Sequence, residues 1–368
     1  MSCHVVASDH VCPSCGSKKK KSMKSYERRR VRDLDISGKE VWLDLRVRQF
    51  SCDCGRYFHE RFEWVAPGKC HTRRQAKFIF ECCAKQPFSE VGALYNIAPK
   101  TVERIYYEYA EGVINLPTRY AQLRKLGIDE LSLRKGKGDY CCILVDLERV
   151  IELDLLPDRK KASIITHFEQ LGPDFCQQIE EVCFDMWGPY ADVAKRCFPN
   201  ARLTIDRFHV VKALNEVLDS TPKALRSQHP KQAAFKSLKW HLFKPPHKLT
   251  DQQTQLLEAA FQQAPQLEQA YTLRNTFHAI FDQANTKEEA KTWLNQWIED
   301  VMFTQQKQWD KFLKTLDNWK DPILNFVESR ISNAATEGRN NLIRYVKRIS
   351  FGMPNFKHLR IRVLATSR

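Results

Sequence analysis

The sequence lacks any apolar run long enough to cross a membrane, and its first residues (MSCHVVASDH) show no signal-peptide pattern. These absences exclude an integral membrane protein and predict a cytoplasmic one. The 13 cysteines are odd in number, and several lie in apolar, strand-like runs such as CCILVDL, which excludes a disulfide scaffold. Four of them are interpreted as small core residues: Cys141, Cys142, Cys183 and Cys197.

Basic residues outnumber acidic residues at both ends of the chain, and acids are scarce at the C-terminal one. Residues 1–75 contain 17 Lys/Arg and 9 Asp/Glu, residues 329–368 contain 9 and 1, and the net charge of the whole chain is +15. The 253 residues between these ends are therefore almost neutral. Two basic ends on a neutral body predict two contacts with a polyanion, and double-stranded DNA is the expected partner. A length of 368 residues predicts two or three domains.

Two close cysteine pairs mark the front of the chain. A strand-like stretch (VWLDLRVRQF) separates them, which is the order of a zinc ribbon and predicts a DNA-binding domain over residues 1–70. The expected Zn²⁺ ligands are Cys12, Cys15, Cys52 and Cys54. One residue separates the second pair, so that pair is crowded, and a histidine could replace one ligand: His4, His10 or His59. The segment KKKKSMKSYERRR between the pairs is expected to follow a phosphate backbone.

Residues 71–118 are predicted to form a helix-turn-helix. TRRQAKFIFECCA and PFSEVGALYN read as two helices, and a break at Ile97-Ala98-Pro99 precedes a third. Side chains at the start of that third helix are the candidates for contacts with phosphates and base edges. They are Lys100, Thr101 and Arg104.

Residues 119–212 are rich in strands. The order is three antiparallel strands, helix, strand, helix, strand, which predicts an α/β, ribonuclease-H-like fold with a mixed five-stranded sheet. The first and fourth strands are neighbours in that fold, so Asp129 and Asp185 are expected to meet and hold divalent cations. ARLTIDRFHVV is predicted as strand five, ending in Asp206 and His209. Asp206 is the rival to Asp185 as the second metal ligand.

The rest of the chain is predicted to be helical. Residues 213–325 contain almost no β-branched runs and are expected to be a helical insertion, and residues 326–368 a catalytic helix with a basic tail that completes the core. Glu337 is the only acid in the last 40 residues, so it is either a salt-bridge partner or a metal ligand; beside Asp129 and Asp185 we favour a ligand. Cations near it are expected to line the DNA path: Arg339, Arg344, Lys347 and Arg348.

Several segments resemble bacterial insertion-sequence transposases of the ISL-three group. They are LGIDE, FDMWGPYADVAKRCFPNA, IDRFHVVKALNE, SNAATEGRNNLIRYVKRISFG and a terminal F-x-x-LRIRVL, and the resemblance runs over nearly the whole chain. It implies a DDE transposase with a zinc ribbon, a ribonuclease-H-like core and terminal-repeat DNA as substrate. Asp129, Asp185 and Glu337 then match the three acids. Asp206 and His209 match the D-x-x-H signature of related transposases.

These observations predict metal-dependent cleavage and strand transfer at the terminal inverted repeats of an insertion sequence. Mg²⁺ (or Mn²⁺) is the expected cofactor, and no covalent protein–DNA intermediate is needed because the sequence offers no clear nucleophilic Ser or Tyr. Pairing of two DNA ends predicts a homo-oligomer. The alternatives are a catalytically silent, transposase-derived DNA-binding protein and a nuclease that does not join strands.

Overall fold

The computed structural model of the chain describes residues 11–18, 21–134, 138–228, 238–331, 334–351 and 355–367; for 21–25, 221–228, 239 and 334–337 it describes the backbone alone. Contacts divide the chain into two compact units. The first comprises residues 1–115 and 344–368, and the second comprises residues 116–343. Both ends of the chain thus contribute to the first unit.

The first unit begins with an antiparallel three-stranded sheet. Its strands are β1 (Lys21–Arg32), β2 (Trp42–Ser51) and β3 (Tyr57–His59), in that order. The first cysteine pair precedes β1, and the second pair follows β2. Each pair is followed by a glycine with positive φ, Gly16 at 70° and Gly55 at 85°, a conformation that glycine adopts without steric cost. The chain can therefore turn sharply after each pair.

Three helices follow the ribbon: α1 (Arg73–Cys83), α2 (Phe88–Leu94) and α3 (Pro99–Val113). Thr72 caps α1 by accepting the amide of Gln75. The turn between α2 and α3 is tight, because a Cβ added to Gly92 would lie 2.6 Å from the carbonyl oxygen of Ile97. This close approach explains why glycine occupies position 92, and the arrangement confirms the predicted helix-turn-helix.

The last helix of the chain completes the core of this unit. Helix α16 (Phe356–Thr366) packs against α3, where Ile361 and Ala365 join the buried cluster of the helix-turn-helix. The guanidinium of Arg362 is buried among these residues. It donates to the carbonyl of Cys83 at 2.9 Å and lies 4.5 Å from the ring centre of Phe88.

The second unit is built on a five-stranded sheet. Helix α4 (Leu116–Tyr120) leads into it, and its strands are β4 (Lys125–Arg134), β5 (Asp139–Asp146), β6 (Ile151–Leu156), β7 (Glu181–Phe184) and β8 (Arg202–Ile205). The spatial order is β6-β5-β4-β7-β8, with β4, β5 and β6 antiparallel and β7 and β8 parallel to β4. The predicted ribonuclease-H-like sheet is confirmed.

The helices among these strands are α5 (Lys161–Leu171), α6 (Pro173–Gln177), α7 (Gly188–Cys197) and α8 (Arg207–Gln228). One predicted boundary is wrong: strand five ends at Ile205, and His209 lies in the first turn of α8. Asp206 ends the strand because its side chain accepts the amide of Phe208 at 3.3 Å and its carbonyl accepts the amide of His209 at 3.1 Å. These bonds start a helix.

The described residues that follow α8 are mostly helical, as predicted. Its helices are α9 (Lys239–Leu242), α10 (Asp251–Gln263), α11 (Pro265–Gln283), α12 (Lys287–Phe303), α13 (Asp310–Leu324) and α14 (Phe326–Ser329). Trp297 and Trp309 are buried in the core, whereas Trp240 and Trp293 are exposed. Helix α15 (Ala334–Ile349) follows. In the described part of the chain, no helix has the length and apolar character needed to span a bilayer.

Candidate active site and metal centre

Three aspartates lie on neighbouring strands of the sheet or directly after them: Asp129 in β4, Asp185 one residue after β7 and Asp206 one residue after β8. Gly127 of β4 pairs with Cys183 of β7, and continuing this parallel register by two residues brings Asp129 opposite Asp185. Phe184 of β7 pairs with Ile205 of β8, and one more residue brings Asp185 opposite Asp206. Neighbouring strands are about 4.8 Å apart, so Asp129, Asp185 and Asp206 form one row, which we call the acid row.

Asp129 is the most constrained member of the acid row. Its Oδ1 accepts the backbone amide of Glu130 at 2.7 Å, and its Oδ2 accepts the side-chain amide of Asn340 at 2.8 Å. Burial raises the pKa of Asp129 above its ordinary value, and the negative charge of Asp185 raises it further. A bound cation would stabilise the ionised form, so the carboxylates suit a divalent metal.

His209 links the other two members of the row. Its Nδ1 lies 3.0 Å from Oδ1 of Asp185, and its Nε2 lies 3.9 Å from Oδ2 of Asp206. Asp206 is only 2% exposed, whereas the side chain of Asp185 is 28% exposed. Asp185 therefore presents the more accessible carboxylate beside Asp129, and Asp206 is placed to orient the imidazole.

Glu337 lies in the first turn of α15, and its side chain is among those outside the described residues. The next turn of α15 contacts the sheet. Arg339 donates to the carbonyl of Val150, and its Nη1 lies 3.6 Å from a carboxylate oxygen of buried Glu152. The guanidinium of Arg339 thus faces the sheet in the absence of DNA, and its contact with DNA stays a prediction.

The four predicted zinc ligands lie together in the first unit. The sulfurs of Cys12, Cys15, Cys52 and Cys54 are all within 4.8 Å of one another, with 3.7 Å between Cys12 and Cys54 and 3.5 Å between Cys15 and Cys52. No other set of three or more His, Cys, Asp or Glu ligand atoms is this close among the described residues. The one-residue spacing of the second pair therefore does not separate its thiols.

The pKa values of two thiols in this Cys cluster shift in opposite directions. The backbone amide of Cys54 lowers the pKa of Cys52, but the Cys15 thiol and burial outweigh it and raise that pKa to about 12. The backbone amides of Cys15 and Ser14 point at the sulfur of Cys12 and lower the pKa of its thiol to about 6, which favours the thiolate that zinc requires. His59 lies elsewhere, with its Nε2 3.3 Å from Glu27. His4 and His10, the other alternative ligands, are outside the described residues.

The predicted DNA-contact residues lie at two helix segments. On α3, Lys100 and Arg104 are exposed and Thr101 is half-buried. On α15, Arg344 and Arg348 are exposed and Lys347 is half-buried.

The ribbon adds a basic surface whose register the sequence analysis missed. Arg28 of β1 pairs directly with Arg46 of β2, and both are exposed. Arg30 lies over the ring of Trp42, 4.8 Å from its centre. Together with Tyr26 these four residues occupy one side of the sheet, because they alternate along the strands; we call this surface the ribbon face. The signal in the sequence was the alternating RVR of β2.

Comparisons with known proteins agree with this arrangement. A family described as a transposase matches residues 126–363. The zinc-finger of transposase IS204/IS1001/IS1096/IS1165 matches residues 8–54, and the helix-turn-helix domain of transposase family ISL3 matches residues 60–110.

Two curated proteins are similar over most of their length. The transposase for insertion sequence element IS1001 of Bordetella parapertussis is 26% identical over 361 residues, which is 96% of this chain and 88% of that protein. The transposase for insertion sequence element IS1557 of Mycobacterium tuberculosis (strain CDC 1551 / Oshkosh) is 26% identical over 369 residues, which is 93% of this chain and 82% of that protein.

Proposed function

Because the chain belongs to the ISL3 transposase family, we propose that it cuts DNA at the terminal repeats of an insertion sequence and transfers the freed strand to a target. The reaction class is metal-dependent phosphoryl transfer. The observation that carries the proposal is the strand register that brings Asp129 opposite Asp185, with His209 beside both Asp185 and Asp206.

The residues that would hold the metal ions are Asp129, Asp185 and Glu337. Two divalent cations such as Mg²⁺ supply an activated water or 3′-hydroxyl and stabilisation of the leaving oxygen. Asp129 and Asp185 fit this role because they are neighbouring, half-buried carboxylates. Glu337 precedes Asn340 by three residues on α15, so both occupy the same helix face, and Asn340 contacts Asp129.

His209 has a supporting role in this proposal. Its Nδ1 lies 3.0 Å from Oδ1 of Asp185, which favours one direction of that carboxylate. Asp206, buried and bonded to the start of α8, faces the other nitrogen of the ring and orients it. The pair Asp206 and His209 thus positions Asp185 without needing to contact DNA.

DNA recognition is assigned to the first unit and to the basic end of α15. Lys100, Thr101 and Arg104 open the third helix of the helix-turn-helix, where recognition helices contact base edges. Arg344, Lys347 and Arg348 would add phosphate contacts. The Cys cluster would hold Zn²⁺ and stabilise the ribbon. Two DNA ends require two such assemblies, so the active complex is proposed to be a homo-oligomer.

The test is cleavage of terminal-repeat DNA by purified Asp129→Asn protein with Mg²⁺. Loss of one metal-binding carboxylate removes several kcal/mol of transition-state stabilisation, so the cleavage rate should fall at least about 1,000-fold. Asp192→Asn is the matched control, because Asp192 is an exposed carboxylate of the same unit, paired with Lys161. If Asp129→Asn cuts at the wild-type rate, the assignment is wrong.

Two further outcomes separate the alternatives. Binding of terminal-repeat DNA by the wild-type protein without cleavage, even with Mn²⁺, would identify a catalytically silent DNA-binding protein. Cleavage without joining to a target duplex would identify a nuclease that lacks strand transfer.

A further inference from the structure

We propose that Asn340 is a further ligand of the cation held at Asp129, through its side-chain oxygen Oδ1. The inference rests on the proposed function, since it adds a residue to that metal site. It starts from one contact: the amide of Asn340 on α15 reaches the carboxylate of Asp129 on β4, with 2.8 Å between Nδ2 and Oδ2.

Asn340 is held in place by its surroundings. The residue is 7% exposed, and the preceding residue Arg339 ties the same turn of α15 to Val150 and Glu152. Two consecutive residues therefore contact different strands or turns of one sheet. A side chain anchored in this way has lost most of its conformational freedom before any ion binds, which favours metal binding.

The other end of the same amide lacks a partner. Oδ1 of Asn340 is buried, and no hydrogen-bond donor reaches it within the described part of the chain. A buried amide oxygen without a partner is unfavourable, so its presence needs an explanation. Oδ1 shares a carbon with Nδ2, which contacts Asp129, so the unpartnered oxygen lies next to the proposed metal site.

The chemistry of the group suits a hard cation. Mg²⁺ and Mn²⁺ prefer oxygen ligands, and side-chain amide oxygens serve this purpose beside carboxylates. A half-turn of the amide exchanges Nδ2 and Oδ1 without moving α15. Without a cation, the NH₂ group compensates the buried charge of Asp129; with a cation, the oxygen can join that carboxylate in binding it.

The experiment measures Mn²⁺ binding to the full-length, zinc-loaded protein by isothermal titration calorimetry, without DNA. Asn340→Leu removes the oxygen at similar size and should weaken binding about tenfold or more. Asn340→Asp retains an oxygen at the same place and should bind at least as tightly as the wild type. Asn341→Asp, an exposed neighbour with the same change of charge, should leave the affinity unchanged.

The two replacements separate a ligand from a residue that only orients Asp129. Neither Leu nor Asp can donate to Oδ2 of Asp129, so an orienting role predicts that both variants weaken binding. The inference is overturned if Asn340→Leu binds like the wild type, or if Asn340→Asp binds more weakly. The second outcome is readable even if the Leu variant is poorly folded, which circular dichroism would show.

Asp129→Asn, measured in parallel, distinguishes this inference from the proposed function. If the wild type has no Mn²⁺ site that depends on Asp129, the proposed function fails. If it has that site and Asn340→Asp weakens it, only the role of Asn340 fails.

Discussion

His209 contacts carboxylates from two neighbouring strands, and this makes it the most informative single residue after the acids themselves. Replacing it with Ala removes the contact between Nδ1 and the carboxylate of Asp185, so the cleavage rate should fall about 10- to 100-fold, equivalent to about 1.4–2.7 kcal/mol. His209→Asn keeps a nitrogen donor near the position of Nδ1 and should recover part of the rate. Single-turnover cleavage of terminal-repeat DNA measures both. Equal losses in the two variants would contradict the orienting role.

Asp129 should reduce the stability of the protein when divalent cations are absent. Its pKa is raised by burial, so the folded state disfavours the charged form. Below the ordinary Asp pKa of about 3.9 the group is neutral in folded and unfolded chains, and stability is lost as pH rises through the raised value. Asp129→Asn should therefore have a higher Tm than the wild type at pH 7.

Scanning calorimetry at several pH values checks this prediction. The difference in Tm should shrink as the pH falls towards about 4. Added Mg²⁺ should also reduce the difference in Tm between the two proteins at pH 7, because the cation stabilises only the wild-type carboxylate. A lower Tm for Asp129→Asn at pH 7 would show that the charged form is favoured in the folded state.

The individual site residues that could be predicted from the sequence are those that carry a charge in a distinctive local pattern. Asp129 and Asp185 stand at apolar strand-like runs, and such acids have few structural roles. Asn340 carries no charge and resembles any helical asparagine, so only its contact with Asp129 reveals it. Arg339 was expected to contact DNA because it is basic. Its ion pair with Glu152 on β6 could not be predicted from the sequence, because the burial of Glu152 depends on tertiary packing.

At the scale of the elements, the ribbon face leads to a specific prediction about the salt dependence of DNA binding. Arg28 and Arg46 are directly paired across β1 and β2, and like charges in that position are destabilising without an anion nearby. If both contact phosphates, replacing both with Gln should reduce the slope of log K against log [salt] by about 2. Fluorescence anisotropy with a duplex at several salt concentrations measures the slope.

The matched control for this experiment is the double variant Arg124→Gln and Arg196→Gln. It removes the same charge from exposed positions of the second unit, where each arginine is paired with a glutamate, Glu180 and Glu169. Its salt slope should equal that of the wild type. Equal slopes for both double variants and lower affinity in both would indicate a general effect of net charge.

The ribbon should depend on zinc for its fold. Structural zinc contributes about 10–16 kcal/mol in small domains, which is a large share of the stability of a sheet of three strands. Removal of the metal by a chelator, or Cys54→Ser, should abolish amide protection in β1, β2 and β3. Hydrogen exchange followed by mass spectrometry should show no change in β4 to β8. If the amides of the ribbon remain protected without metal, the packing of the ribbon is sufficient to keep it folded, and the prediction is wrong.

The order of the strands and helices could be predicted from the sequence more reliably than the residues at which they end. Apolar runs and turn residues identify the five strands of the second unit, and their order indicates the sheet. The end of β8 was missed because LTIDRFHVV is a run of strand-forming residues, and periodicity cannot show that the side chain of Asp206 caps a helix. The Cys cluster was predicted by its spacing, although folding was needed to show that the crowded pair fits.

For the whole molecule, the first unit requires both ends of the chain. Ile361 and Ala365 of α16 fill its core, and Arg362 bonds the end of α1. A fragment of residues 1–115 should therefore have reduced helix content. It should also bind duplex DNA at least about tenfold more weakly than the full chain, equivalent to about 1.4 kcal/mol, because its helix-turn-helix lacks part of its core. Circular dichroism and anisotropy measure these quantities.

A synthetic peptide of residues 344–368 provides the control. Adding it in excess should restore part of the helix content and the DNA affinity of the fragment. A peptide in which the two core positions are polar, Ile361→Ser and Ala365→Ser, should not. Full binding by the fragment alone would show that α16 is dispensable for the helix-turn-helix.

Protein synthesis runs from the N-terminus, and most domains finish folding soon after they leave the ribosome. The contribution of α16 to the unit formed by residues 1–115 reverses that order here. The helix-turn-helix emerges early but lacks part of its core until α16 has also been synthesised. Nascent or truncated products that lack α16 should consequently bind DNA poorly.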